Sequence, residues 1–195
     1  MTLPVSPVEG LTAVELTSAH VPALQRFFVA NPAYFLTVQG EPARADEARE
    51  EILDPLPEGT PHTKKWVIGF VGPGGEIVAL AHLVSDIFAP WVWNVSTFML
   101  DSARHGSGDA WRLYDCVEDW ACRSGARWLR LGVVIGNARA ERFWASCGFV
   151  ETRTRSGYQI GNQLNELSVM FKPLSGGTLD DYLALVPRDR PEPAP

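Results

Sequence analysis

Hydrophobic and polar positions in the first half of the chain follow the two-residue period of β-strands in four places. Apolar residues there alternate with polar ones, or form short runs bounded by turn residues, as in strands of a partly buried sheet. The turn sequence Gly-Pro-Gly-Gly at residues 72–75 separates two of these runs, which predicts an antiparallel pair. The predicted strands cover residues 11–16, 65–71, 77–85 and 91–100.

Two helices are expected between the first and second of these strands. The first begins near Ser18, a residue type that caps helix N-termini, and ends at Pro32. The second runs from Ala43 to Leu53. Its acidic residues, Glu51 among them, are expected on a solvated face with no sign of chemistry.

The hydrophobic period changes to that of amphipathic helices in the second half of the chain. Two helices, each closed by a glycine, alternate with strands there, which predicts a parallel strand pair with a helical crossover. The predicted elements are helices over 109–125 and 138–147, strands over 128–134, 149–155 and 164–172, and a short helical segment around Tyr182.

Length and composition favour one α/β (α+β) domain over residues 1–186, followed by a disordered, proline-rich tail over 187–195. The three cysteines lack zinc-site spacing, and the N-terminus lacks the basic and apolar segments of a signal peptide, so we expect a cytoplasmic protein. No apolar run is long enough to span a membrane. The net charge of −6 disfavours nucleic-acid partners and mildly favours a cationic acceptor such as an amine.

The loop before the helix at Asp109 is the strongest candidate for a binding site. It contains Gly106 and Gly108, and its amides continue into the first turn of that helix, where the helix dipole favours anions. Two glycines alone are equally compatible with a flexible strand-to-helix turn. A dinucleotide fingerprint is excluded, because Trp111 stands where its third glycine belongs.

The wider pattern resembles the acetyl-CoA signature of the GNAT N-acetyltransferase superfamily, written R/Q-x-x-G-x-G/A after a strand. The resemblance covers about residues 98 to 151 in the family's order and spacing. It is carried by Phe98-Met99-Leu100, by His105-Gly106-Ser107-Gly108-Asp109-Ala110, by Asn137, by Phe143-Trp144 and by Gly148-Phe149.

The resemblance implies a GNAT fold: a central, mostly antiparallel mixed sheet of six to seven strands, with a parallel pair at the acetyl-CoA cleft and about four flanking helices. It also implies acetyl-CoA as co-substrate. The strand before the loop would pair with the pantetheine arm, and the loop amides would hold the pyrophosphate. The implied acetyl-CoA-binding residues are Phe98, Met99, Leu100, His105, Gly106, Ser107, Gly108, Asp109, Ala110, Asn137, Arg139 and Trp144. An N-cap role is equally expected for Asn137, and a solvated helix face for Arg139.

Three positions depart from the family pattern. His105 replaces the usual Arg or Gln, and a neutral imidazole can still hydrogen-bond a phosphate. Trp144 stands where many members have a tyrosine acid, and Asn94 where some have a glutamate base, so neither catalyst is present by residue type. Asp86 and Cys147 are fallback candidates for which core or surface roles are favoured, and His82 is expected to be a core histidine. The catalytic residues therefore stay unassigned.

By the resemblance, the acceptor pocket would include Tyr34, Trp93 and Asn94. Aromatic walls attract ammonium groups, although Trp93 alternates with neighbours that fit the buried face of a strand equally well. We expect an acetyl-CoA-dependent N-acetyltransferase acting on a primary amine of a small molecule by direct attack in a ternary complex, with no metal. Alternatives are a peptide or protein N-acetyltransferase and a non-catalytic acyl-CoA-binding module. Homodimers are common in the family.

Overall fold

A computed structural model describes residues 2–191 of the chain. Seven strands form one open sheet in the order β1-β2-β3-β4-β5-β7-β6, with neighbours antiparallel except for the parallel pair β4 and β5. The predicted mixed sheet and its parallel pair are therefore confirmed. The strands are β1 (Thr12–Glu15), β2 (Lys64–Val71), β3 (Ile77–Ser85), β4 (Val92–Leu100), β5 (Trp128–Val134), β6 (Val150–Ile160) and β7 (Gln163–Pro173).

Six α-helices accompany the sheet in the described part of the chain. The resemblance implied about four, and the hydrophobic pattern predicted five helical segments. The helix that the pattern did not predict follows Pro32, which ends the first helix as predicted and also occupies the first position of the next, where a missing N–H costs nothing. The helices are α1 (Val21–Ala30), α2 (Pro32–Gln39), α3 (Glu47–Leu53), α4 (Asp109–Arg123), α5 (Ala138–Ser146) and α6 (Leu179–Leu185), with 3₁₀ turns at Ser18–His20, Ser102–Arg104 and Pro187–Asp189.

The parallel strands β4 and β5 separate soon after they begin. Their pairing covers only three residues of each strand and ends at Asn94 and Arg130. One residue further along β4, the register with β3 shifts between His82 and Leu83, which leaves Ser96 as an extra residue, a β-bulge. From Ser96 to Leu100, β4 therefore has one edge without a strand partner.

Alternating side chains divide the core between the two faces of the sheet. Along β3, Ala79, Ala81 and Leu83 pack with α4 and α5 on one face. Leu80 and Val84 point to the opposite face, where Leu80 packs with α1, α2 and α3, and Val84 packs near α6. His82 lies between them, so the period of two places this imidazole among the helices α1–α3.

The first residues of the expected disordered tail are ordered. The turn Pro187–Asp189 packs against the sheet, and the carboxylate of Asp189 is fully buried. It accepts hydrogen bonds from Arg130 Nε at 2.7 Å and from the Tyr182 hydroxyl at 2.7 Å. This buried ion pair holds the segment in place, which the proline-rich composition did not reveal. The rest of the expected tail, residues 192–195, lies outside the described residues.

Candidate active site

A cleft of about 920 Å³ opens where β4 and β5 separate. Its walls come from the loop before α4, the start of α5, both separated strands, helix α2 and the ends of β6 and β7. We call the part bounded by Arg104, His105, Gly106, Gly108, Ala110, Asn137 and Arg139 the loop half, and the part bounded by Pro32, Ala33, Tyr34, Thr37, Val38, Tyr158, Ile160 and Leu167 the acceptor half.

The two glycines of the loop have backbone conformations that other residues rarely adopt. Gly106 has φ +86° and Gly108 has φ +85°, and a Cβ on either would meet no atom within 4 Å. In the described part of the chain, the amides of Gly106, Gly108 and Ala110 donate to no protein acceptor. Three amides at the N-terminus of a fifteen-residue helix, beside open space, suit an anionic group such as a pyrophosphate.

The amides of Ser107 and Asp109, which were also predicted to hold the pyrophosphate, donate hydrogen bonds within the loop itself. The amide of Ser107 donates to Arg104 O at 3.2 Å, and that of Asp109 donates to Ser107 Oγ at 3.1 Å. Neither residue lines the cleft. Ser107 and Asp109 therefore shape the loop in this structure, and their role as binding residues stays a prediction. Internal loop bonds of this kind cannot be read from glycine spacing.

Positive charge collects at the loop half. Arg104 donates to the buried Asp109 carboxylate at 2.8 Å, which fixes its guanidinium beside the helix N-terminus. His105 and Arg139 contact each other across the mouth of the cleft through Nδ1 and Nη1. Arg139 is therefore not fully surrounded by solvent, although its helix face was expected to be solvated. The family pattern has Arg or Gln at the position of His105, and here Arg104, one residue earlier, supplies the positive charge.

The separated edge of β4 connects the two halves of the cleft. Phe98, Met99 and Leu100 all line it, as expected, and their free strand edge can pair with an extended ligand. Asn137 also lines the cleft, and its side chain caps α5 by accepting from the amide of Ala140 at 3.2 Å. The N-cap expected for Asn137 is confirmed.

Trp144 belongs both to the core and to the cleft wall. Its side chain is buried, and its ring lies 5.0 Å from that of Tyr114 and 6.0 Å from that of Phe98. An indole in an aromatic cluster has no proton to give at neutral pH, so α5 provides no acid for a leaving thiolate. Trp144 therefore shapes the cleft without donating a proton.

Two residues expected in the acceptor pocket lie elsewhere. Trp93 is buried on the α4 face, with its ring 5.6 Å from that of Trp120. Asn94 accepts from Arg130 Nη1 at 3.0 Å and donates to Ser96 Oγ at 2.9 Å, at the point where the strands separate. Neither lines the cleft. The alternation of residues along β4, which allowed a buried position for Trp93, therefore predicted its place better than the resemblance did.

Tyr34 does line the acceptor half, as expected. Burial, and next the charge of Glu51, raises the pKa of its hydroxyl, while a hydrogen bond with Thr97 opposes this. The phenol therefore stays protonated at neutral pH. Asn31, one helical turn earlier, accepts from the amide of Ser102 at 2.7 Å, which ties α2 to the segment that leads into the loop.

A partly buried pair of titratable residues beside Tyr34 was not predicted. Glu51 Oε1 lies 3.0 Å from His82 Nδ1, and the exposed fraction is 9% for the His82 side chain and 21% for that of Glu51. Helix α3 turns Glu51 inward, which corrects its expected place on a solvated face. His82 is a core histidine as expected, but with a carboxylate partner. The only signal in the sequence was a histidine within an apolar strand.

The two fallback candidates have structural roles. Asp86, in the turn after β3, accepts from the amide of Trp91 at 2.7 Å and does not line the cleft. Cys147 is buried at the end of α5, and burial raises the pKa of its thiol to about 11. A thiol with such a pKa is almost wholly protonated at neutral pH, so it is a poor nucleophile and a poor base there.

The fold and the cleft have the arrangement that the resemblance to N-acetyltransferases implies, and comparisons with known proteins agree. The sequence model of the acetyltransferase (GNAT) family matches residues 26–149. The chain therefore belongs to the GNAT acetyltransferase family and is an N-acetyltransferase, a class that uses acetyl-CoA. No curated protein sequence matches the chain.

Solved structures of acetyltransferases share the fold. A GCN5-related N-acetyltransferase from Kribbella flavida is 25% identical, with a TM-score of 0.61 over 85% of this chain and 99% of that one. Spermidine N-acetyltransferase from Vibrio cholerae, in complex with CoA and spermine, is 16% identical, with a TM-score of 0.66 over 86% and 98%. The ribosomal-protein-S18-alanine N-acetyltransferase from Escherichia coli is 17% identical, with a TM-score of 0.60 over 87% and 97%. No helix among residues 2–191 has the length and apolar character to cross a membrane.

Proposed function

We propose that the protein transfers the acetyl group of acetyl-CoA to a primary amine of a small molecule, by direct attack in a ternary complex. The observation that carries this proposal is the continuity of the cleft. It runs from the free amides of Gly106, Gly108 and Ala110, along the open edge of β4, to Tyr34 in the acceptor half.

The acceptor half favours an amine whose remaining body is uncharged and apolar. No side chain that lines it within residues 2–191 carries a formal charge, and aromatic and aliphatic groups predominate. This lining has neither a row of acidic side chains that could bind further ammonium groups nor a basic side chain that could bind a carboxylate. The rings of Tyr34 and Tyr158 can attract one ammonium group. The alternative acceptor, a peptide or protein amine, would extend over charged surface outside this lining.

The geometry supplies orientation and charge stabilisation for the transfer. Amides on the open edge of β4 beyond Ser96 can hold the thioester by donating hydrogen bonds to its carbonyl oxygen, on which charge develops. A thiolate leaves without assistance from a strong acid, because thiols have a reference pKa of about 8.5. The absence of a tyrosine at Trp144 is therefore compatible with turnover.

Two measurements test this function. Calorimetry with acetyl-CoA tests binding, and thiol release over a panel of primary amines, including 2-phenylethylamine and spermidine, tests transfer. We expect binding, and turnover that favours the monoamine. Binding without turnover on any amine would support the non-catalytic module, and absence of binding would refute the assignment of the cleft.

The variant Gly108→Ala tests the loop with a matched control. A Cβ on residue 108 is unfavourable at φ +85° and forces the backbone of the loop to change. Loss of one amide hydrogen bond to a charged group costs about 1.5–3 kcal/mol, or roughly 10- to 100-fold in affinity. Gly125→Ala, at φ +107° after the other end of α4, carries a similar backbone strain away from the cleft. Equal acetyl-CoA affinity in the two variants would contradict the proposal that the loop amides bind acetyl-CoA.

A further inference from the structure

A connected polar group lies between the acceptor half of the cleft and helix α3. We propose that Glu51 and His82 act as one unit that takes up the proton lost by the acceptor ammonium, and that the hydroxyl of Thr97 passes this proton to them. The inference rests on the proposed amine acetylation. It assigns Thr97 a catalytic role, with Glu51 and His82 as positioning residues that act through it.

Thr97 lies between this pair and the cleft. It lies opposite His82 in the register of β3 and β4, and it lines the cleft directly after the bulge at Ser96. It is also close enough to Glu51 and to Tyr34 for its hydroxyl to lower the pKa of both. Because a hydroxyl has one proton and two lone pairs, it can accept from an amine while it donates to a carboxylate.

His82 has a ring nitrogen without a partner. Its Nδ1 faces Glu51 Oε1 at 3.0 Å, and because a carboxylate only accepts, Nδ1 is the donor of this hydrogen bond. Its Nε2 is buried and makes no hydrogen bond within the described residues. Buried polar atoms are nearly always bonded, and those that are not often mark functional positions. The ionised carboxylate of Glu51 can take up one proton.

The surrounding charges keep the carboxylate ionised. Burial raises the pKa of Glu51, but hydrogen bonds from His82 and Thr97 and the charges of His82 and Lys65 outweigh it, so the pKa is lowered. Lys65 on β2 donates to the main-chain oxygens of Glu51 and Asp54. Tyr34 from α2 remains protonated, and Glu47 adds a further negative charge on α3.

The proton balance of the transfer is complete with this pair. One proton of the ammonium passes to Thr97 Oγ1 as the Thr97 proton passes to Glu51, so the carboxylate becomes a neutral carboxyl group. The amine lone pair then forms the C–N bond, and the C–S bond breaks with its electrons on sulfur. The nitrogen loses a second proton, which ends on the thiolate, and the pair returns its proton to solvent.

The test compares four variants in their pH profiles of kcat/KM for 2-phenylethylamine, or for the best amine of the panel. Glu51→Gln and Thr97→Val remove the acceptor and the hydroxyl with little change of shape. Thr97→Ser keeps the hydroxyl. Glu50→Gln makes the same chemical change on the same helix, at a residue that pairs with Arg44 on the outside.

We expect Glu51→Gln and Thr97→Val to lower kcat/KM about 100-fold, the scale of general base catalysis, and to remove the fall in rate at acidic pH. Thr97→Ser should recover most of the activity, and Glu50→Gln should match the wild type. The dissociation constant of acetyl-CoA should change less than about 3-fold in all four, as judged against a roughly 10-fold effect for one lost hydrogen bond.

Four outcomes would overturn the inference. Wild-type profiles in Glu51→Gln and Thr97→Val would do so while the proposed function stands. So would equal losses in Thr97→Ser and Thr97→Val, or a loss in Glu51→Gln explained by a lowered melting temperature with an unchanged pH profile, because both indicate a structural role. Absence of wild-type turnover on every amine would overturn the proposed function and this inference together.

Discussion

We expect the substitution Asp189→Ala to lower the free energy of unfolding by about 3–5 kcal/mol, because it leaves the guanidinium of Arg130 buried without its anion. Arg130 donates to the two carboxylate oxygens at 2.7 Å and 3.1 Å, in the bidentate arrangement that guanidinium groups favour. Only 11% of the Arg130 side chain is exposed, and none of the carboxylate. Tyr182 also loses the acceptor of its hydroxyl.

Urea unfolding followed by tryptophan fluorescence measures this loss, since Trp128 packs against Tyr182 with ring centroids 5.7 Å apart. Asp180→Ala is the matched control. It lies in the same C-terminal segment, is exposed, and should change stability by less than about 0.5 kcal/mol. A loss below about 1 kcal/mol in Asp189→Ala, the range of an exposed ion pair, would refute the reasoning.

The same pair makes stability depend on pH. Burial raises the pKa of Asp189, but the hydrogen bonds and charge of Arg130 lower it more, so the folded value lies below the unfolded one of about 3.9. Its contribution is therefore complete above about pH 4 and is lost as the pH falls through the folded pKa. Asp189→Asn should flatten the acid limb of the stability curve. An unchanged limb would show that other carboxylates dominate acid unfolding.

Two further predictions concern the ligand and the packing. Gly177→Ala should lower the free energy of unfolding by about 2–5 kcal/mol, since residue 177 has φ +127° and its Cβ would lie 2.4 Å from a ring carbon of Trp128. Gly176→Ala, where the Cβ would enter open space, should lower it by about 1–2 kcal/mol. Melting temperatures that fall equally would contradict this. His105→Ala should weaken acetyl-CoA binding only a few-fold by calorimetry, because Arg139 remains at the mouth of the cleft. An unchanged dissociation constant would remove His105 from the site.

The loop half was predictable because its signals are local in sequence. The change of period at Asp109, the glycine loop before it and the cap at Asn137 each lie within a few residues of the element they determine. Helix α2 was missed although its signal was also local, since Pro32 was read only as the end of one helix and not as the start of another. Local sequence signals therefore predicted the positions of most helices and strands but missed one helix.

Tyr34 was expected in the acceptor half, but the contacts around that half were not predictable because distant segments make them. Glu51 and His82 are 31 residues apart, and the pairing of Arg130 with Asp189 spans 59. Helical periodicity could place Glu51 on a face of α3, but not show that β3 would present an imidazole to that face. For Trp93, the same strand pattern allowed both a pocket and a core position, and only packing against Trp120 decides.

This division bears on how the enzyme can work without the family's usual acid and base types. Trp144 removes a donor where the departing thiolate needs little help, whereas Asn94 removes an acceptor where an ammonium must still lose its proton. The missing base is therefore the more serious loss. Glu51, His82 and Thr97 are ionisable and hydroxyl groups that lie together beside the acceptor half. The substitutions at 144 and 94 thus have unequal consequences, and a base brought in from α3 is the compensation that the reaction requires.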